Sequence, residues 1–98
     1  VICHNDEKIG FICFYANDLK SRIAFISLIC VKEKYQKNGY ATVLLKRMFE
    51  FCKDSMSSVE LEVYADNAKA IEFYKKNGFQ KIEKQSENPK TFFMRKAL

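Results

Sequence analysis

"IAFISLICVKEKYQKNGYATVLLKRMFEFC", residues 23–52, changes its apolar period part-way along, and that change decides the fold. The first nine residues are apolar or small almost without interruption, which predicts a strand buried on both faces and therefore central in a sheet. Further on, Ala41, Leu44, Leu45, Met48 and Cys52 recur at helical spacing, with Lys46, Arg47, Glu50 and Lys53 between them, the pattern of an amphipathic helix. The join between strand and helix is "YQKNGYAT", residues 35–42, which holds Gly39, one of only three glycines in the 98 residues.

If the strand ends at Val31 and the helix begins near Ala41 or Thr42, the backbone N–H groups from Lys37 to Thr42 have no helical acceptors. With the positive end of the helix dipole they form an anion site, open to a phosphate because Gly39 has no side chain and Ala41 a small one, with Lys37 adding charge. The same glycine also fits an ordinary turn that needs a positive φ. The loop is neither a G-x-x-x-x-G-K-[ST] nor a G-x-G-x-x-G sequence.

Working outward, "VICH" and "KIGFICFYA" read as hairpin strands joined by "NDE", and "NDLKSR" turns into the buried strand. After the helix, the serine-rich "DSMSS" leads to "VELEVY". This alternates as a strand, with Val59, Leu61 and Val63 on one side and Glu60, Glu62 and Tyr64 on the other. Asp66 or Asn67 can cap a second helix with Ala70, Ile71 and Tyr74 on one stripe, and Asn77, Gly78 and Phe79 close it. Two strands, "FQKIEKQ" and "TFFMRKAL", follow around the turn "SENPK". The central strand–helix–strand unit implies a right-handed crossover and a parallel pair. The ends look antiparallel, so the expected fold class is α/β with a mixed, mostly antiparallel sheet and flanking helices.

"YQKNGYA" resembles the Q/R-x-x-G-x-G/A pyrophosphate loop of the Gcn5-related N-acetyltransferase (GNAT) superfamily, with Gln36, Gly39 and Ala41 at the patterned positions. "LEVYADNAKAIEFYKKNGF" resembles that superfamily's next strand and helix, its N-x-x-A-x-x-x-Y-x-x-x-G-F pattern filled by Asn67, Ala70, Tyr74, Gly78 and Phe79. The pattern is most similar to the members that acetylate protein N-termini, including those of the ribosomal-protein-alanine type. The resemblance runs through residues 1–98 as a single domain. It implies an acyl-CoA N-acyltransferase fold, N-terminally incomplete, because members begin with a further strand and helices that contribute to the acceptor site.

The resemblance further implies acetyl-CoA as co-substrate and direct transfer of the acetyl group to a primary amine, on a small molecule or a peptide N-terminus. It places Tyr74 as the general acid and Glu62 as the base, with Glu60 as the alternative carboxylate. A phenol suits the acid, since it is protonated at neutral pH. Tyr74 also fits a core aromatic, and Glu62 a solvated carboxylate. Cofactor contacts are implied for Gln36, Lys37, Asn38, Gly39, Tyr40, Ala41 and Thr42 of the loop, for Asn67, and for the backbone of Ile29, Cys30 and Val31, where pantetheine adds as a strand. Lys75 or Lys76 can join Lys37 at the phosphates.

Composition narrows the alternatives. An apolar fraction of 48% with nine Phe and five Tyr predicts one packed domain. Seventeen basic against twelve acidic residues, a net charge of +5, favour an anionic partner. No apolar run is long enough to span a membrane. Four cysteines without a C-x-x-C pair, and a single histidine, argue against a metal and fit free thiols placed as small hydrophobes in a reducing, cytoplasmic setting. A non-catalytic acyl-CoA-binding regulatory domain is the second reading. A nucleic-acid-binding domain ranks last, because only three arginines occur and most aromatics fall in core strands. A missing first strand would leave an exposed sheet edge, which favours a homodimer.

Overall fold

The computed structural model describes residues 2–4, 7–16, 18–32 and 39–98. Strands β1 (Ile2–His4), β2 (Glu7–Tyr15) and β3 (Ile23–Val31) are followed by helix α1 (Tyr40–Cys52), β4 (Ser58–Tyr64), α2 (Ala68–Lys76), β5 (Gln80–Lys81) and β6 (Thr91–Ala97). They build one six-stranded sheet in the order β1-β2-β3-β4-β6-β5. Only β3 and β4 run parallel; every other pair is antiparallel. Among the described residues no helix is long and apolar enough to cross a membrane.

Both helices lie on one face. Leu45, Met48 and Cys52 of α1 pack with Ala24, Ile26, Val59, Leu61, Val63, Met94 and Phe79, while Ala70, Ile71, Phe73 and Tyr74 of α2 close against that cluster. Each of these larger side chains contributes roughly 1.5–3 kcal/mol on burial. The alternation expected in "VELEVY" holds, with Val59, Leu61 and Val63 in this core.

The expectation that β3 is buried on both faces is overturned. Ala24 and Ile26 are buried, but Ser27, Leu28 and Cys30 are exposed, Leu28 at 51%. The cause is a β-bulge: Phe14 pairs with Ile26 and Cys13 with Leu28, leaving Ser27 as the extra residue, its hydroxyl donating to Cys13 O at 3.2 Å. The bulge flips the side-chain parity, so Leu28 and Cys30 join Phe11 and Cys13 on the sheet's second face. No described helix covers that face. Cys13 and Cys30 are exposed for the same reason, contrary to their expected place as core thiols; Cys52 alone is fully buried among the free cysteines described.

The strand expected over residues 79–85 shrinks to Gln80–Lys81. Beyond it the chain leaves the ladder because its side chains have partners on the second face: Lys84 reaches Glu60 and the ring of Phe93, and Ser86 reaches Glu62.

Helix α2 ends as the sequence indicates. Gly78 takes φ +94°, Phe79 N–H donates to Tyr74 O and Gly78 N–H to Lys75 O, and the Phe79 and Tyr74 rings meet at 5.6 Å. A Cβ at Gly78 would meet mainly the flexible end of Lys96, so the cost of substitution is conformational. Gly78→Ala is expected to lower stability by about 1–2 kcal/mol in chemical denaturation, from left-handed strain.

Candidate active site

The parallel ladder runs from Ile23↔Ser58 to Ile26↔Leu61 and stops, although β3 continues to Val31 and β4 to Tyr64. The two strands therefore diverge, and a cavity opens on each side of the gap. On the helical face a cleft of about 440 Å³ is lined by the end of β3, by Ala41 of α1, and by Asn67, Lys69, Ala70, Phe73 and Tyr74 of α2. Asn67 caps α2, its Oδ1 accepting from Ala70 N–H at 3.2 Å, which leaves its amide nitrogen available. Tyr74 packs its ring between Phe73 and Phe79 at 5.5 and 5.6 Å. Burial pushes its phenol pKa up, so it holds its proton through neutral pH.

The N-terminus of α1 borders this cleft. Gly39 is its N-cap with φ +82°, no side chain caps the helix, and no acidic residue lies in its first turn. The positive φ accounts for glycine by itself. A Cβ added there would also meet nothing within 4 Å among the described residues, which suits an incoming phosphate.

On the second face, a cavity of about 240 Å³ is lined by Phe25, Ile26, Ser27, Glu62, Tyr64, Asn88 and Thr91. Glu62 is exposed there and its Oε2 accepts from Thr91 Oγ1 and, at 2.8 Å, from Ser86 Oγ. These hydrogen bonds, Thr91 first, hold its carboxyl below the usual range against a small opposing effect of burial.

Residues 1–79 match the acetyltransferase (GNAT) family. The chain belongs to that family. It is 41% identical over 54 residues to the L-amino acid N-acetyltransferase AaaT of Escherichia coli, covering 53% of this chain and 33% of AaaT. Ard1 from Thermoplasma volcanium shares 31% identity with a TM-score of 0.81, over 96% of this chain and 66% of Ard1. The PaiA N-acetyltransferase of Thermoplasma acidophilum, solved with coenzyme A, superposes at a TM-score of 0.85 and 23% identity, over 98% of this chain and 57% of PaiA. The chain thus spans about a third to two thirds of the length of these relatives.

Within this GNAT chain the residues singled out from sequence divide into groups. Ile29, Cys30, Val31, Ala41, Asn67 and Tyr74 come together around the helical-face cleft. Gly39, Tyr40 and Thr42 form the adjoining start of α1, while Gln36, Lys37 and Asn38 lie outside the described residues. Glu62 stands on the opposite face. Lys76 pairs with Glu72 at 3.4 Å, which leaves it a weaker candidate for phosphate than sequence alone suggested. Sequence reasoning missed Lys69, which lines the cleft, and Ser86 and Thr91, which hold Glu62. The serine in "SENPK" was the available signal, but nothing in its spacing revealed the strand it folds onto.

Glu60 is removed as the alternative base. It is 2% exposed and held by Lys84 Nζ at 3.0 Å and Arg95 Nε at 2.9 Å. Burial pushes its carboxyl upward, but the hydrogen bonds and charges of Arg95 and Lys84 outweigh burial and bring it below the ordinary value. A folded pKa below the unfolded one, about 4.3, gives stability that is complete above that value and is lost as pH falls through the folded pKa. Glu60→Gln is therefore expected to cost about 2 kcal/mol at pH 7, since both cations are half-exposed and can rehydrate. In urea titrations across pH the gap from wild type should close below about pH 4.

Proposed function

We propose that this chain carries the catalytic core of an N-acetyltransferase that moves the acetyl group of acetyl-CoA directly to a primary amine. The observation that carries the reading is the gap between β3 and β4, with a cleft lined by a protonated phenol on one face and a cavity lined by an ionised carboxylate on the other. The open N-terminus of α1 suits the pyrophosphate, and Asn67 with the backbone of Ile29, Cys30 and Val31 suits the amide-rich pantetheine arm. Acetyl-CoA supplies an activated thioester carbonyl with a thiolate leaving group.

Glu62 is assigned as the base. A carboxylate with a lowered pKa is a weak base toward a free ammonium, but an amine nitrogen that has begun to bond to a carbonyl is far more acidic. Ionised Glu62 therefore attracts the ammonium form of the acceptor; once that form has lost one proton to solvent, the neutral amine attacks the carbonyl, and Glu62 takes the proton that the nitrogen sheds as the C–N bond forms. Tyr74 is assigned as the acid, giving the phenol proton to the departing sulfur. One proton leaves the amine, one reaches the thiolate, and the acetyl group changes partner.

The name of AaaT, an L-amino acid N-acetyltransferase, favours an α-amino group as acceptor, on a free amino acid or a peptide N-terminus. A non-catalytic acyl-CoA-binding role would need neither Glu62 nor Tyr74 at the gap. The test is acetyl transfer to free L-amino acids and to short alanine-starting peptides. Glu62→Gln and Tyr74→Phe are each expected to lower kcat by roughly 100-fold or more while acetyl-CoA still binds in calorimetry. Unchanged transfer by both variants would reject the assignment. Undiminished binding by Gly39→Glu would reject the phosphate cradle.

A further inference from the structure

The turn between β5 and β6 folds back onto Glu62, and its hydroxyls outnumber what a simple turn requires. Ser86 Oγ and Thr91 Oγ1 lie 2.6 Å apart, and each also contacts the same carboxylate oxygen, Glu62 Oε2. Asn88 ties the turn together, its N–H donating to Ser86 Oγ at 3.2 Å and its C=O lying 3.2 Å from Thr91 Oγ1. Two hydroxyls bring two protons to a triangle of three oxygens, so one edge is always without one. When the edge between the hydroxyls is filled, one hydroxyl donates to the other and the second donates to Oε2. Oε2 is thus occupied from the turn, whereas Oε1 has no donor among the described residues, and Glu62 lines the cavity together with Phe25 and Tyr64.

We propose that Ser86 and Thr91 are positioning residues that clamp Oε2 of Glu62 from the β5–β6 turn and reserve Oε1 for the acceptor's amine. The inference rests on the reading of Glu62 as the base. It makes the turn part of the catalytic geometry: a residue change in 86–91 alters the aim of the base as well as the shape of the acceptor cavity. Thr91 is fixed by the ladder, paired with Tyr64, whereas Ser86 is held only through the turn. Thr91 is therefore the firmer half of the clamp.

The charged and titratable groups on the surrounding elements are Glu60 and Tyr64 of β4, Lys81 of β5, Arg95 and Lys96 of β6, and Glu83, Lys84, Glu87 and Lys90 of the connecting segment. Glu60 is matched by Arg95 and Lys84, and the hydrogen bonds onto Glu62 come from Ser86 and Thr91 alone among the described residues. Loss of a hydroxyl donor disfavours the carboxylate, so the Glu62 pKa rises and the acid limb of activity moves to higher pH.

The test follows the Glu62 side-chain carboxyl by ¹³C NMR across pH in the full-length protein, alongside steady-state kinetics with acetyl-CoA and the alanine-starting peptides. Thr91→Val is expected to raise the Glu62 midpoint and to lower kcat roughly 10- to 100-fold with KM for acetyl-CoA unchanged. Ser86→Ala should do the same to a smaller degree, and Thr91→Ser, which keeps the donor, should restore both readouts. A Glu62 midpoint unmoved in Thr91→Val and Ser86→Ala overturns the clamp. A midpoint that moves while Glu62→Gln keeps full activity overturns the base assignment instead, and the positioning role with it, so the two failures are told apart.

Discussion

The site depends on β3 and β4 parting company after Ile26 and Leu61. Each strand is held elsewhere: β3 by β2 from Tyr15↔Phe25 to Gly10↔Val31, and β4 by β6 from Ser58↔Ala97 to Tyr64↔Thr91. The bulge at Ser27 adds local twist to β3 just where the parallel ladder ends. With both strands committed to outer partners, no ladder pair joins them beyond Ile26 and Leu61 among the described residues, although they lie at the middle of a sheet. An extended amide-bearing chain can enter such a gap as a strand would. In the function proposed above, this gap is where the acid assigned on a helix and the base assigned on a strand serve one reaction.

Two carboxylates two residues apart on the same strand face meet different fates. Glu60 sits opposite Arg95 in the ladder and under Lys84, fully buried and doubly paired. Its neighbourhood has no vacancy for a proton or a substrate. Glu62 is two pairs nearer the open end, opposite Phe93, and among the described residues only neutral hydroxyls reach it. A cation beside Glu62 would compete with an acceptor ammonium; hydroxyls do not. The separation of the structural carboxylate from the one proposed as the base thus follows from a shift of two pairs along the ladder.

Much of this was legible in the chain. The helical periods of 41–52 and 68–76, the alternation of 59–64 and the Asn-Gly-Phe stop after α2 are local signals, and each element stands where those signals put it. The residues that line the helical-face cleft fall in short runs of sequence, which local motifs single out. The partners of Glu62 were not legible, because they lie 24 and 29 positions away across a turn whose path is set by Lys84 and Ser86 leaving β5 early. The burial of β3 was misread for a related reason. A run of apolar residues reports what could be covered, and the parity change at Ser27, together with a face bearing no described helix, is invisible to composition.

Tyr74 shows how stability and chemistry share one residue. Its carbonyl receives the Phe79 N–H that closes α2, and its ring rests on the Phe79 ring that the same motif brings round. Phe79 is 1% exposed and also meets Phe49 of α1 at 6.0 Å, so the end of one helix is keyed to the flank of the other. The backbone hydrogen bond fixes where the Tyr74 Cα stands, and the rings on both sides restrict the directions its side chain can take. Tyr74 lines the cleft with Ala70 and the end of β3. A helix terminator is usually judged by the helix it ends; here the Asn-Gly-Phe stop also restricts the side chain proposed as the acid, and Gly78 is needed for both.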